Sequence, residues 1–333
     1  VPENFWLHLT MFTTYLELAV SIFATPLVVV FLYTLITSAL HKSCKSALSQ
    51  ILFKKMYFRV FLVMNGLGLL FLSTSHVSVA VYRLMTPGAW LAQDIVSNLP
   101  LFLHQLAYGT CTVSMLLITI ERTIIGLNPR LYVEKTHQSG MISVCVISEV
   151  FIALPCIMLV QDGPIINGQK LYRTSEIKQQ LACLICAVLD TLSVVMVIIA
   201  FACSSQRYNH GFSKSTLTTR YQIKEVISLT RVLIPICISS LFFRISVIIL
   251  AYFAFTDEKV LDSFFTVIRF CCTSAAIVEP TLLLTRHRML RKRLRLLFGL
   301  SHGEVIPQIE RDPAAIANVY FDAFNSDLKP KRR

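Results

Sequence analysis

Residues 181–203 read LACLICAVLDTLSVVMVIIAFAC, a run of 23 residues in which Asp190 is the only charge. A bilayer core takes about 20 consecutive, mostly apolar residues to cross as a helix. The run is long enough, and its apolar residues form a block rather than an amphipathic pattern, so it reads as a lipid-embedded span. Six further blocks of the same kind flank it, at Tyr15–Thr37, Val60–Tyr82, Ser97–Ile120, Met141–Val160, Val226–Ala254 and Leu261–Leu284. The expected fold class is therefore all-α, a seven-transmembrane helix bundle. Pro26, Pro155, Pro235 and Pro280 fall inside these blocks. Neighbouring helices, side chains and water can re-satisfy the carbonyl each one frees.

Composition agrees. Of 333 residues, 55% are apolar and 15% charged, with a mean hydropathy of +0.64; soluble domains carry roughly 25% charged residues. The net charge of +12 does not point to nucleic acid, because the basic residues sit in alternate loops. The loops after spans one, three and five, with the tail from Arg286, hold 23 Lys and Arg residues; the other loops hold five. Lys/Arg excess marks the cytoplasmic side, which predicts an external N-terminus. Span one is too long for the apolar core of a cleaved signal peptide and is expected to be retained. No N-x-S/T sequon marks the outside independently.

The expected organisation is an extracellular N-terminus (1–14), the bundle (15–285), an amphipathic interfacial helix (286–299) and a flexible cytoplasmic tail (300–333), with a short helix around 314–324. In the stretch RHRMLRKRLRLLF (286–298), Leu290, Leu294, Leu297 and Phe298 share one helical face and basic residues surround the rest. Such a helix suits an anionic leaflet, and Gly299 is placed to end it. Eight of ten cysteines lie in or beside spans and read as small buried hydrophobes. The Cys183/Cys186 pair lacks a second ligand pair, so no metal or other cofactor is expected.

Ionisable groups inside spans are costly and default to functional hypotheses. Glu17, His76, His104, Asp190, Arg244 and Arg269 fall in the outer half or near mid-depth and are candidates for lining a ligand pocket. Asp190 and Arg244 lie equally deep in spans five and six, and Glu17 and Arg269 in the outer parts of spans one and seven. Either pair can equally be a packing salt bridge. At the cytoplasmic end, Glu121, Arg122, Arg220, Tyr221, Glu225 and Arg231 form a candidate coupling set, in which an Arg122–Glu225 pair would hold spans three and six together in one state. No catalytic motif of the zincin, hydrolase or P-loop kind is present, so no enzyme activity is expected.

The motif IERTIIGLNPRLYVEK (120–135) after span three, and STLTTRYQIKEVISLTRVL (215–233) entering span six, are similar to those of nematode serpentine chemoreceptors of the Sra superfamily, most of all class epsilon. The matching residues are Glu121, Arg122, Tyr132 and Glu134, then Arg220, Tyr221, Gln222 and Glu225. Val226 departs from the family's usual Asn, and Glu279-Pro280 replaces the NPxxY run of other G-protein-coupled receptors. The resemblance implies a G-protein-coupled receptor in the plasma membrane of sensory cilia. Its partners would be an environmental small molecule and a heterotrimeric G protein, with membrane lipid around it and no nucleic acid. A transporter or channel, with the buried charges forming a solute path, is the competing expectation, although the halves show no repeat of the kind transporters carry.

Overall fold

A computed structural model of the chain describes residues 3–43, 56–85, 95–127, 143, 147–148, 151, 160–166, 169–174, 176–211, 217–254 and 261–299. These contain helices α1 (Glu3–Ser43), α2 (Met56–Met85), α3 (Ile95–Leu127), α4 (Glu176–Gly211), α5 (Leu217–Ala254), α6 (Leu261–Arg286) and α7 (Arg288–Leu297), and strands β1 (Val160–Ile166) and β2 (Gln169–Thr174). Six helices, α1 to α6, are long and apolar enough to cross a membrane. The protein is a multi-pass helical membrane protein. The expected span Met141–Val160 lies almost wholly outside the described residues, as do the tail from residue 300 and its expected helix. The helices overrun the apolar blocks: α1 is already helical at Glu3, and α4 runs on to Gly211.

The stretch that opened the sequence reading shows why these helices assemble as they do. Along α4, Ala187, Asp190, Ser193, Val197, Ala200 and Ser204 are buried, while Leu184, Ile185, Val188, Leu192, Val195 and Ile199 are exposed. The buried set recurs every three or four residues, the spacing of one helical face. Small and polar groups face the bundle, and large apolar ones face outward. That is the inverse of a water-soluble helix. In lipid the outward face gains nothing from burial, so helices associate through close packing of small residues and interhelical hydrogen bonds.

Glycines mark the close approaches. A Cβ on Gly68 would lie 2.8 Å from Cys111 Sγ and 3.2 Å from the Ala107 carbonyl, so α2 and α3 touch there. A Cβ on Gly126 would lie 2.9 Å from Ser204 Oγ and 3.2 Å from the Ala200 carbonyl, setting the α3–α4 contact. Many hydroxyls buried in these helices are satisfied within their own turn, as where Thr230 donates to the Val226 carbonyl at 2.8 Å. Thr123 does this toward Thr119 and also donates to the Met196 carbonyl of α4 at 2.9 Å.

These contacts fix helix directions. Thr123 meets Met196, and three residues on Gly126 meets Ala200 and Ser204, so α3 and α4 run parallel. The contacts Glu17–Arg269 and the cluster joining Ala24 and Val28 to Ala276 make α1 and α6 parallel too. In contrast, α2 runs against both α3 and α6, since His76 meets His104 and Thr273, while Asn65 meets Ser114 and Glu279. The last residue of α3 and the first of α4 therefore lie at opposite ends of the bundle.

The β1–β2 hairpin was not expected. It pairs Val160 with Thr174 and Ile166 with Gln169, with an irregularity between Asp162 and Ile165. Asn167-Gly168 separates the strands in sequence, the pair most favoured in two-residue hairpin turns. After α6, His287 Nδ1 accepts the Leu290 N–H at 3.4 Å, which serves as a cap for the first turn of α7. At the other end Gly299 takes φ 65° and its N–H donates to the Leu296 carbonyl at 3.2 Å. A glycine accepts that left-handed conformation without the clash of a Cβ. Residues through Arg291 form one compact unit and Lys292–Arg333 a second.

The α3–α4 contact gives a direct test. Gly126→Ala is expected to lower the stability of the detergent-solubilised protein by about 1–3 kcal/mol through overpacking. Adding Ser204→Ala, which removes the nearest atom, is expected to restore part of it. Thermal unfolding of the three variants checks this; no effect of Gly126→Ala would mean that α3 and α4 are not in contact there.

Candidate functional site

The buried polar groups come from all six long helices and meet near the middle of the bundle. Three arginines stand inside the spans, and two of them lie deep. Arg244 of α5 donates from Nε to Asp190 Oδ2 of α4 at 2.7 Å and from Nη2 to Thr112 Oγ1 of α3. Its guanidinium carbon also lies 3.4 Å from the centroid of the Tyr108 ring on α3. The Ser240 hydroxyl, one turn earlier on α5, donates to the same Asp190 oxygen at 3.5 Å. The cation is thus held by a carboxylate, a hydroxyl and an aromatic face. A charge in the membrane interior needs this kind of enclosure, because water is not there to solvate it.

Arg269 of α6 donates from Nε to Glu17 Oε1 of α1 at 2.9 Å. Both side chains are buried, Glu17 completely. The two pairs set by depth in the sequence are therefore formed, each between neighbouring helices. Whether they also bind a ligand is a separate question of function.

Two histidines join the pairs. Thr273 of α6 donates to the Arg269 carbonyl at 3.0 Å, and its Oγ1 also contacts His76 Nδ1 of α2. His76 Nε2 lies 2.7 Å from His104 Nδ1 of α3. The two rings stack at 4.9 Å, and His104 stacks on Tyr108 at 5.9 Å. Thr273 Oγ1 thus bridges the Arg269 carbonyl and His76 Nδ1, and the tautomer of His76 sets which ring donates across the histidine pair. The result is one line of polar contacts, Glu17–Arg269–Thr273–His76–His104–Tyr108–Arg244–Asp190, that visits every long helix.

A second cluster lies one to two turns along. Asn65 Nδ2 of α2 donates to Glu279 Oε2 of α6 at 3.2 Å, and Ser114 of α3 donates to Asn65 Oδ1 at 3.3 Å. Between the two clusters is a cavity of about 30 Å³, lined by Tyr108, Arg244, Ser240 and Glu279 with Phe243 and Leu72 among its apolar walls. That is room for about two waters, far below the roughly 300–1,000 Å³ of a pocket for a drug-sized ligand. In this conformation it takes only a small molecule or the head of a larger one.

Sequence reasoning missed Tyr108, Thr112, Thr273, Asn65, Ser114 and Ser240. All are neutral, so a filter for ionisable groups passes over them. Polar side chains on the face that also carries a buried charge are the signal that finds them.

At the far end of α3, Glu121 and Arg122 are both buried and pair at 3.1 Å. The side chains of Arg220, Tyr221 and Glu225 lie outside the described residues, so the expected Arg122–Glu225 pair does too. Arg231 is exposed on the bundle surface, where a long side chain extends toward head groups. Of this coupling set, only the neighbours Glu121 and Arg122 are brought together in the described residues. Seven cysteines there are free thiols, and no group of three or more His, Cys, Asp and Glu in that set could hold a metal ion.

Fold and site together define a multi-pass helical membrane protein with a polar line through its core. No protein-family model matches the chain, and no curated protein matches it significantly.

Breaking one buried pair leaves an uncompensated charge, which costs about 3–5 kcal/mol. Asp190→Asn is therefore expected to lower the unfolding midpoint sharply, and Asp190→Asn/Arg244→Gln to lower it less than the two single changes summed. Thermal unfolding of the purified variants reads this. Strict additivity would contradict a direct pair.

Proposed function

We propose that this chain is a seven-span chemosensory G-protein-coupled receptor, akin to the nematode serpentine chemoreceptors of class epsilon. A small molecule enters the outer half of the bundle, and a heterotrimeric G protein engages the inner ends of spans three, five and six. The observation that carries this reading is the polar line itself. Spanning a membrane needs no buried charge, and each one is expensive there. Here four charges, two histidines and a tyrosine link all six long helices. A ligand that competes for Arg244 or Tyr108 alters the contacts of α3, α4 and α5 together, which is what a two-state bundle requires of its input site.

The helix directions support the span count. Because α3 and α4 are parallel, a further crossing between them fits the bundle, and Met141–Val160 is the apolar block read as that span. The N-terminus is then outside and the basic tail in the cytoplasm, as the loop charges favour. α7 is read as an interfacial helix on the inner leaflet, in which Leu290 is buried against the protein and Leu297 and Phe298 are exposed. Glu121 and Arg122 stand at the inner end of span three, where the resemblance puts G-protein coupling. The plasma membrane of sensory cilia is the location the resemblance implies.

The test separates coupling from folding. In cells expressing the chain, Arg122→Lys, which keeps a positive charge beside buried Glu121, is expected to reach the surface at near wild-type levels and to lose most of the ligand-evoked calcium or cAMP response. A normal response in that variant removes Arg122 from the coupling role. Solute flux or current in cells expressing the wild-type chain alone would replace the receptor reading with that of a transporter or channel.

A further inference from the structure

Arg244 has five N–H donors, and its neighbours account for only part of them. Nε and Nη2 are used by Asp190 and Thr112, whereas Nη1 makes no hydrogen bond to the described residues although the side chain is 95% buried. The Tyr108 hydroxyl is in the same position, buried and without a partner among those residues. Both residues line the 30 Å³ cavity. Two buried donors unmatched beside one another are costly unless something with lone pairs sits between them.

We infer that the cavity is the recognition subsite for an uncharged oxygen acceptor, a ketone, aldehyde or ester carbonyl carried on a compact apolar body. Charge and donor count together select a neutral acceptor. Asp190 already neutralises Arg244, and Glu279 stands in the same wall. An anion would therefore meet no uncompensated positive charge, while losing its hydration on entry. An ammonium has donors and no lone pair, so it cannot accept from Arg244 Nη1 or the Tyr108 hydroxyl. A carbonyl oxygen takes hydrogen bonds from Arg244 Nη1 and the Tyr108 hydroxyl without bringing a charge. The cavity volume fits that head alone, so the attached apolar body enters by parting the apolar side chains of Leu69, Leu72, Phe243 and Val247 that line it. The inference deepens the receptor reading and rests on it for its purpose, but binding at this subsite is measurable without any signal.

The experiment uses the purified full chain in lipid nanodiscs and four matched probes, 2-pentanone, pentane, pentanoate and pentylamine. Saturation-transfer NMR and the shift in unfolding midpoint report binding. The ketone is expected to bind, and the other three to bind at least tenfold more weakly. Tyr108→Phe, which removes only the hydroxyl, is expected to weaken the ketone roughly fivefold. Arg244→Lys, which keeps the charge for Asp190 and removes the planar fork, is expected to abolish its binding. Wild-type-like unfolding of Tyr108→Phe shows that its loss is local. Equal binding of ketone and alkane, tighter binding of pentanoate, or an unchanged ketone affinity in Tyr108→Phe would each overturn the subsite. A ketone that binds the purified protein yet evokes no calcium response in cells would leave the subsite standing and remove the receptor reading. A cellular response to other chemicals, with no ketone binding, would do the reverse.

Discussion

Arg244 is the residue around which the bundle has to be arranged. A guanidinium is always charged, and at mid-depth in a bilayer it has no water to turn to. Asp190 supplies the counter-charge from α4, Thr112 a hydroxyl from α3, and Tyr108 an aromatic face from the turn before. Those partners lie on two helices, so satisfying the one cation brings three helices together at a single level. The packing of α3 on α4 follows in the same register, through Thr123, Gly126 and the small residues of α4. Arg269 does the same service between α6 and α1. His76 and His104 then tie the two assemblies into one.

Much of this was legible in the sequence, for physical reasons that can be named. A span is a property of composition over about 20 residues, so the six blocks that fall on α1 to α6 needed no knowledge of packing. Charges in lipid must find opposite charges at their own depth, so depth alone matched Asp190 to Arg244 and Glu17 to Arg269. Other features were not legible that way. Tyr108, Thr112 and Thr273 are neutral, and their roles come from which face of which helix turns inward. Asn167-Gly168 did announce the hairpin, but a search for apolar blocks is blind to turns. The quoted stretch of α4 reads as an apolar block around one charge. The buried face of α4 is nonetheless patterned, with Asp190, Ser193 and, just past the stretch, Ser204 set among alanine and valine every three or four residues.

The same inversion explains where function can be placed. An outward face of leucine, isoleucine and phenylalanine is solvent-matched to lipid and carries no information. Specificity has only the interior in which to act, and among the described residues the interior is a set of hydrogen bonds shared among helices. The proposed point of entry for a small molecule is the 30 Å³ cavity beside two unmatched donors. The far end of α3, with Glu121 and Arg122 buried together, is a second place where charge is held without water. Both lie on α3, the helix with contacts to α2, α4 and α5, so movement of that one element reaches both ends.

The proposed seven-span receptor depends most on direction: with α3 and α4 parallel, the proposed crossing between them would put the termini on opposite sides of the membrane. Epitope tags fused to each end of the chain measure this in one step, by antibody staining of intact and then permeabilised cells. The account predicts that the N-terminal tag stains on intact cells and the C-terminal tag only after permeabilisation. Both tags staining under the same condition would mean an even number of crossings, and would contradict it.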